Sequence, residues 1–168
     1  MEIRSIASFS SYWQRIHGRT RRVIACIPED AIEWTCRRGS WTLGDLVRHL
    51  AALERYMFVE NACGRPSAYA GHDRRLAAGY GDVLDFYDRL HRESVALIEG
   101  LPDARLHERC VTPGGAELAV WKWLRAMLEH EIHHRGQIYL YLRLLGVASP
   151  PLFGLTAEQV QARSQAPP

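Results

Sequence analysis

The sequence predicts an all-α protein: an antiparallel four-helix bundle with a short extra C-terminal helix, occupying residues 1–168 as a single domain. Three observations predict it. Apolar residues recur at spacings of three, four and seven in four separate stretches, the mark of a helix with one buried stripe. Each stretch ends at Gly or Pro. No stretch alternates apolar and polar as a half-buried strand does, and no internal repeat occurs, so a helix-on-helix architecture remains.

The first stripe, Ile6, Phe9, Trp13, Ile16, Val23 and Ile27, gives a helix over residues 5–27 that Pro28 stops. Residues 28–41 form a connection containing Trp34 and Trp41. Thr42, followed three residues later by Asp45, reads as a capping box opening a second helix over 43–62, which Gly64-Arg65-Pro66 terminates. Residues 64–81, rich in Gly, Ala, Ser and Pro, form a loop. A third helix covers 82–99, closed by Gly100 and Pro102. Residues 101–116 connect, with a short extended piece at Glu108–Thr112. The fourth helix runs over 117–145 to Gly146, and Thr156 caps a short helix at 157–164. Three connections longer than a minimal bundle needs are candidates for a site's mouth or a partner surface.

Composition excludes several classes. Apolar residues make up 47% and charged ones 24%, which is the range of a folded globular protein. Basic and acidic side chains number 21 and 19, a balance that argues against nucleic acid or an anionic membrane as partner. Arg15, Arg19, Arg21 and Arg22 read as a solvated helix face. The scattered Cys26, Cys36, Cys63 and Cys110 form neither a CxxC pair nor a disulfide framework, so reduced thiols are expected. MEIRSIASFSSYWQRIHGR lacks the apolar core of a signal peptide, and no stretch reaches the roughly 18 apolar residues of a membrane span. A cytoplasmic protein follows as the expectation.

The chemistry concentrates in LEHEIHHRGQIYLYLRLLG, residues 128–146, where three histidines and a glutamate fall in five positions of the fourth helix. At about 100° per residue, His130 and His134 lie about 40° apart, on the face that also carries Trp123, Met127, Ile138 and Tyr141, while His133 turns toward the polar side. On the second helix, His49 sits at the edge of the stripe made by Leu46, Leu50, Leu53 and Met57, with Arg48 and Arg55 on the opposite, solvent sector. Two inward imidazoles one turn apart can reach one metal ion, and a third from a packed neighbour completes a set that leaves a coordination position open. Either His49 or His91, on the apolar stripe of the third helix, suits that third role by facing.

Two further residues bear on chemistry. Glu131 falls among core positions Leu124, Ile138 and Leu142. A carboxylate there needs a partner: an arginine of another helix, a dimer contact, a histidine it orients, or metal-bound water on which it acts as base. Gln137 faces the histidines and can hydrogen-bond near a metal, whereas Arg135 suits an ion pair between helices. His130-Glu131-Ile132-His133-His134 also satisfies H-E-x-x-H, the zinc metalloprotease pattern. Against that reading, the sequence continues as HRGQIYLYLRLLG, contains no clear strand to align a peptide, and is short for a two-lobed protease.

HxxHHRGQ at residues 130–137, Leu144-Leu145-Gly146, the LxxLVRHLAALERY pattern of the second helix and Trp41 before it resemble the DinB-like (DinB/YfiT-like) superfamily over nearly the whole chain. The resemblance implies a four-helix bundle holding one divalent metal through His49, His130 and His134, with zinc or nickel the leading candidates and iron or manganese further ones. It implies a homodimer, a small-molecule substrate and metal-dependent chemistry that activates a low-molecular-weight thiol, or water, for attack on an electrophile. Glu131 and Gln137 are then the candidate catalytic residues. A non-catalytic metal-binding or partner-binding role is the alternative from a different class, since function does not travel with a fold.

Overall fold

Why the connections are long becomes clear from which helices touch. The structure, a computed structural model, describes residues 2–165. Met1 and the last three residues of the expected 1–168 domain lie outside the described residues. Four long elements form the bundle: α1 (Ile6–Ile24), α2 (Leu43–Leu53), α4 (Tyr80–Glu99) and α5 (Val120–Leu144). Without a break, α2 continues through a π-helical turn (Glu54–Val59) into one last turn, α3 (Glu60–Ala62). The expected short C-terminal helix is α6 (Ala157–Gln165), with Thr156 and Gln159 bonding reciprocally at its start. The Thr42–Asp45 capping box is present at α2.

Around the bundle the contacting pairs are α1–α4, α4–α2, α2–α5 and α5–α1. Ser10 bonds Glu99 and Arg21 bonds Asp88, so α1 and α4 are antiparallel. Trp41 lies before α2 and its carbonyl accepts from Tyr141 near the end of α5, while Phe58 packs on Trp123 near the start of α5, so α2 and α5 are antiparallel too. The other two neighbours are parallel. Phe9 and Trp13 share a cluster with Leu124 and Leu128, whereas Val23 and Ile24 share one with Ile138 and Leu142. Likewise Leu46 and Leu50 pack with Val83 and Leu90, and Phe58 with Ile98. The chain therefore runs up, down, down, up. From the bottom of α3 it must climb back about 30 Å, the length of a 20-residue helix, before α4 can start. Residues 63–79 make that climb along the outside of the bundle.

The expected extended piece is half of a β-hairpin: β1 (Arg109–Val111) pairs antiparallel with β2 (Glu117–Ala119), Cys110 opposite Leu118. The hairpin takes up three residues that the apolar pattern assigns to the fourth helix, so α5 begins at Val120. Among the described residues no helix is long and apolar enough to cross a membrane.

Two apolar clusters fill the bundle, one at each end. Between them lies a stratum of polar groups from all four helices: half-buried His17 and buried Thr20 on α1, and buried Glu54 where α2 becomes π-helical, His91 and Ser94 on α4, Glu131 and Arg135 on α5. Arg48 corrects its sequence placement. An isolated α2 would expose it, yet it is fully buried. The connection before α2 and the climbing loop cover that face, and Arg48 binds both: Glu33 at 2.8 Å, Asp45 at 2.8 Å, and the carbonyls of His72 (2.9 Å) and Ala77 (3.0 Å).

Candidate metal centre

The capping box starts α2 at Leu43, and that register turns His49 toward α5. Antiparallel packing then brings His49 level with His130 and His134. The Nε2 atoms of His49 and His130 lie 3.0 Å apart, and one ring nitrogen from each of the three histidines falls within 4.8 Å of the others. The rings cross steeply: 56° between His49 and His130, 75° between His49 and His134, 70° between His130 and His134. An imidazole lone pair lies in its ring plane, so crossing planes can direct three lone pairs at one point.

Protonation suits a cation. Burial first, then the neighbouring imidazoles, lowers His49 to a pKa of about 3 and His130 to about 4, and His134 is also lowered, mainly by burial. All three are neutral at pH 7, as metal ligation requires. Gln137 fixes the tautomer of one. Its amide nitrogen lies 3.3 Å from His133 Nε2, leaving Oε1 to accept from His134 Nδ1–H at 2.6 Å. With the proton on Nδ1, Nε2 of His134 is bare. His49 Nδ1 is 2.8 Å from the Tyr69 hydroxyl, which is itself 2.8 Å from His72 Nδ1. The residues present fit a divalent cation by donor type, donor spacing and available lone pairs.

Trp41, 38% exposed, forms one wall: its ring lies 4.7 Å from His49, 4.0 Å from His72 and 6.0 Å from His134. Tyr69 and His72 escape a sequence reading, because they sit on the climbing loop, where no periodicity reports facing.

His91 joins a different group. Its Nδ1 lies 3.1 Å from Glu54, which also accepts from Trp13 Nε1 at 3.2 Å. His17 lies flat on His91 with centroids 3.4 Å apart and planes 4° from parallel, and Tyr87 lies flat on His17 at 4.6 Å and 8°. His17, Glu54 and His91 offer ligand atoms as closely spaced as those of the triad. Parallel, separated planes cannot both contain one ion, so this group is a stack rather than a chelate.

Glu131 is 95% buried, and its carboxylate faces Tyr87 Oη at 3.4 Å. Burial, then the nearby Glu54, pushes its pKa up to about 7. With Leu50, Glu54, Tyr87, Met127 and His130 it encloses a small internal gap. Arg135 corrects the expectation of an ion pair: among the described residues its polar contact is Thr20 Oγ1 at 3.5 Å, and burial lowers its pKa. Arg135 sits in a layer whose carboxylates already have other partners.

Three imidazoles converging from two helices of a bundle define a helical protein with a metal-competent His₃ site. The chain belongs to the DinB superfamily, whose family model matches residues 12–138 and so spans all three histidines. It is 21% identical to the uncharacterized protein YrdA of Bacillus subtilis (strain 168) over 155 residues, 90% of this chain and 89% of that one. Among solved structures it resembles a DinB-like protein of Bacillus cereus ATCC 10987 (TM-score 0.74, 18% identity, covering 88% of this chain and 97% of that one). It also resembles YfiT of Bacillus subtilis, described as a probable metal-dependent hydrolase with an unusual four-helix bundle topology (TM-score 0.68, 17% identity, 88% and 91% covered). A more distant likeness is a variant of the mycothiol-dependent maleylpyruvate isomerase (TM-score 0.64, 10% identity, 87% and 62% covered).

Proposed function

We propose that His49, His130 and His134 bind one divalent cation, zinc or nickel first and iron or manganese next, and that the protein uses it to activate a low-molecular-weight thiol, or water, toward a small electrophilic substrate. The observation that carries this reading is the convergence of three neutral, crossed imidazoles within 4.8 Å. The neighbours support the reaction class: YfiT is described as a probable metal-dependent hydrolase, and the isomerase is mycothiol-dependent.

A bound cation supplies Lewis acidity that lowers the pKa of a thiol or water reaching it. The chain's own groups do the rest. Gln137 holds the His134 ring with Nε2 facing inward and is a positioning residue. Trp41 covers the histidines on the side of the climbing loop and narrows the approach for water. Glu131 faces Tyr87, an orientation that favours a structural place in the buried layer behind His130 over the base role its position in the sequence also suits. That orientation also weakens the H-E-x-x-H protease reading, which needs the glutamate turned toward the metal. A homodimer belongs to the same proposal: Ile132, Leu140 and Leu144 stand exposed on the outer side of α5. Sedimentation velocity checks it.

Elemental analysis paired with a thiol-plus-electrophile assay tests the function. One equivalent of metal in the wild type, and a rate that needs both metal and thiol, support it. Full metal retention in His49→Ala, His130→Ala and His134→Ala alike removes the site, and metal binding without turnover of any thiol or water substrate leaves a non-catalytic metalloprotein.

A further inference from the structure

We infer that Tyr69 and His72 are positioning residues of the metal centre: the Tyr69 hydroxyl holds the His49 ring with Nε2 toward the cation, and His72 holds the hydroxyl. The inference rests on the metal-binding reading above.

Cation binding selects one arrangement of the protons. Tyr69 Oη has a single hydrogen and two imidazole nitrogens at 2.8 Å, Nδ1 of His49 and Nδ1 of His72. If it donates to His72, it must accept from His49 Nδ1–H, and His49 Nε2 is then a bare lone pair. If it donates to His49, the His49 proton moves to Nε2 and points at His130 Nε2, 3.0 Å away, which shuts out a cation. Only the first direction leaves His49 Nε2 as a bare lone pair open to a cation. In that arrangement His72 accepts at Nδ1 and carries its own proton on Nε2.

Aromatic rings surround these hydrogen bonds. The Tyr69 ring meets His49 edge to face (5.7 Å, 83°), His72 meets it nearly perpendicular (5.4 Å, 87°), and Trp41 covers His72 at 4.0 Å. The loop carrying both residues is pinned by the neighbour of the ligand itself. Arg48, adjacent to His49 and fully buried, donates from Nε to the His72 carbonyl at 2.9 Å and from a terminal nitrogen to the Ala77 carbonyl at 3.0 Å. One turn of α2 therefore fixes both the ligand and the groups that orient it. Gln137 serves His134 in the same way from within α5, so two of the three ligands have Nδ1 held.

Zinc affinity, measured against a chromophoric chelator at pH 7.5, tests the inference in the wild type, Tyr69→Phe, His72→Ala and His72→Asn. Tyr69→Phe keeps the ring and its packing but loses the oxygen. It should weaken zinc binding about 10- to 100-fold, as removal of a ligand's orienting partner does elsewhere. His72→Ala should weaken it in the same direction, whereas His72→Asn, whose amide oxygen can stand where Nδ1 stood, should restore most of the affinity. Long-range ¹H–¹⁵N spectra of the zinc-loaded protein should place the His49 proton on Nδ1, slow to exchange in the wild type and fast in Tyr69→Phe. Thermal midpoints of the metal-free proteins report any folding defect separately. Wild-type affinity in both Tyr69→Phe and His72→Ala overturns this inference while leaving the three-histidine site intact. A wild type that binds no zinc overturns the metal-binding reading and this inference with it.

Discussion

The protein contains two histidine clusters, alike in the number and spacing of their ligand atoms and opposite in geometry. At the α2–α5 seam, the rings of His49, His130 and His134 cross at 56–75° and their lone pairs converge. In the middle stratum, His17 and His91 lie flat against each other, 4° from parallel, with Glu54 bonded to His91. Both offer three ligand atoms within 4.8 Å. Distance alone does not separate them. Ring orientation does, because an imidazole binds in its plane and packs on its face. The seam is built to receive a cation, and the stratum to pack its rings face to face.

The comparison breaks most directly on metal content. His134→Ala should lose zinc by more than about a thousandfold in affinity, since two imidazoles remain of a chelating three. His91→Ala should keep a full equivalent and instead lose about 2 kcal/mol of stability to the vacated volume and the bond Glu54 loses. Equilibrium dialysis and urea unfolding on both variants read the two effects. Zinc lost from His91→Ala with its fold intact would merge the clusters into one site.

Arg48 sharpens the contrast next. It belongs only to the seam, where it clamps the climbing loop and neutralises Glu33 and Asp45. Arg48→Met keeps the length but leaves two partly buried carboxylates facing a thioether, at a cost of about 3 kcal/mol, the low end for a broken buried pair because both carboxylates retain some solvent. Zinc affinity should fall with it, since Tyr69 and His72 lose their anchor, while the His17–His91 stack keeps its ultraviolet and NMR signatures. Unchanged zinc affinity in a destabilised Arg48→Met would detach the loop from the metal centre.

Much of this was legible in the sequence, and the divide follows the physics. Periodicity carries facing within one helix, so the four helices, the Thr42 capping box and the inward turn of His130 and His134 could be read directly. Periodicity does not say which helix lies beside which. His49 and His91 looked equivalent, and only the up-down-down-up course puts His49 against α5 and His91 against α1. The same course creates the climbing loop, so Arg48 was read as solvated when its face is roofed by residues 72–77. Tyr69 and His72 had no signal at all, since a loop residue's facing depends on where its ends are held. His17 lies one turn beyond Trp13 on the first helix, but nothing local distinguishes a stacked imidazole from a solvated one.

Acid probes the middle stratum by a different route. Burial, with His91 and Arg21 nearby, holds His17 at a pKa of about 2, against about 6.5 in an unfolded chain. Below pH 6.5 the unfolded chain takes up a proton that the folded one refuses. His17 therefore removes stability as the pH falls from 6.5, by about 1.4 kcal/mol per pH unit. Glu131 acts in the opposite sense. Its pKa of about 7 lies above the ordinary carboxyl value, so its contribution is present below pH 4.5 and is lost as the pH rises toward 7. The two oppose each other between pH 4.5 and 6.5, so single variants are needed. His17→Phe, which keeps a flat ring between Tyr87 and His91, should make the acid limb of a urea-midpoint-versus-pH curve shallower, the rest of that limb coming from His49 and His130, and Glu131→Gln should flatten the upper one. Excess zinc should leave the His17 contribution unchanged, because the stack binds none.

The smallest expected effect concerns Gln137, and it asks whether the seam's geometry is maintained or merely observed. Its Oε1 accepts from His134 Nδ1–H at 2.6 Å, with His133 keeping the amide turned the right way. Gln137→Met fills the same space without an acceptor. It frees the His134 proton to sit on either nitrogen and costs about tenfold in zinc affinity, near the low end for an orienting partner because the half-exposed site lets water substitute. Gln137→Glu restores the acceptor with added charge, makes the imidazole a stronger donor and should bind zinc at least as tightly as the wild type. His133→Ala should then fall between wild type and Gln137→Met, since it leaves the amide free to flip. Equal affinity across this series would mean that helix backbone alone aims His134, and that the crossing angle separating the two clusters is set by main-chain packing rather than by side-chain hydrogen bonds.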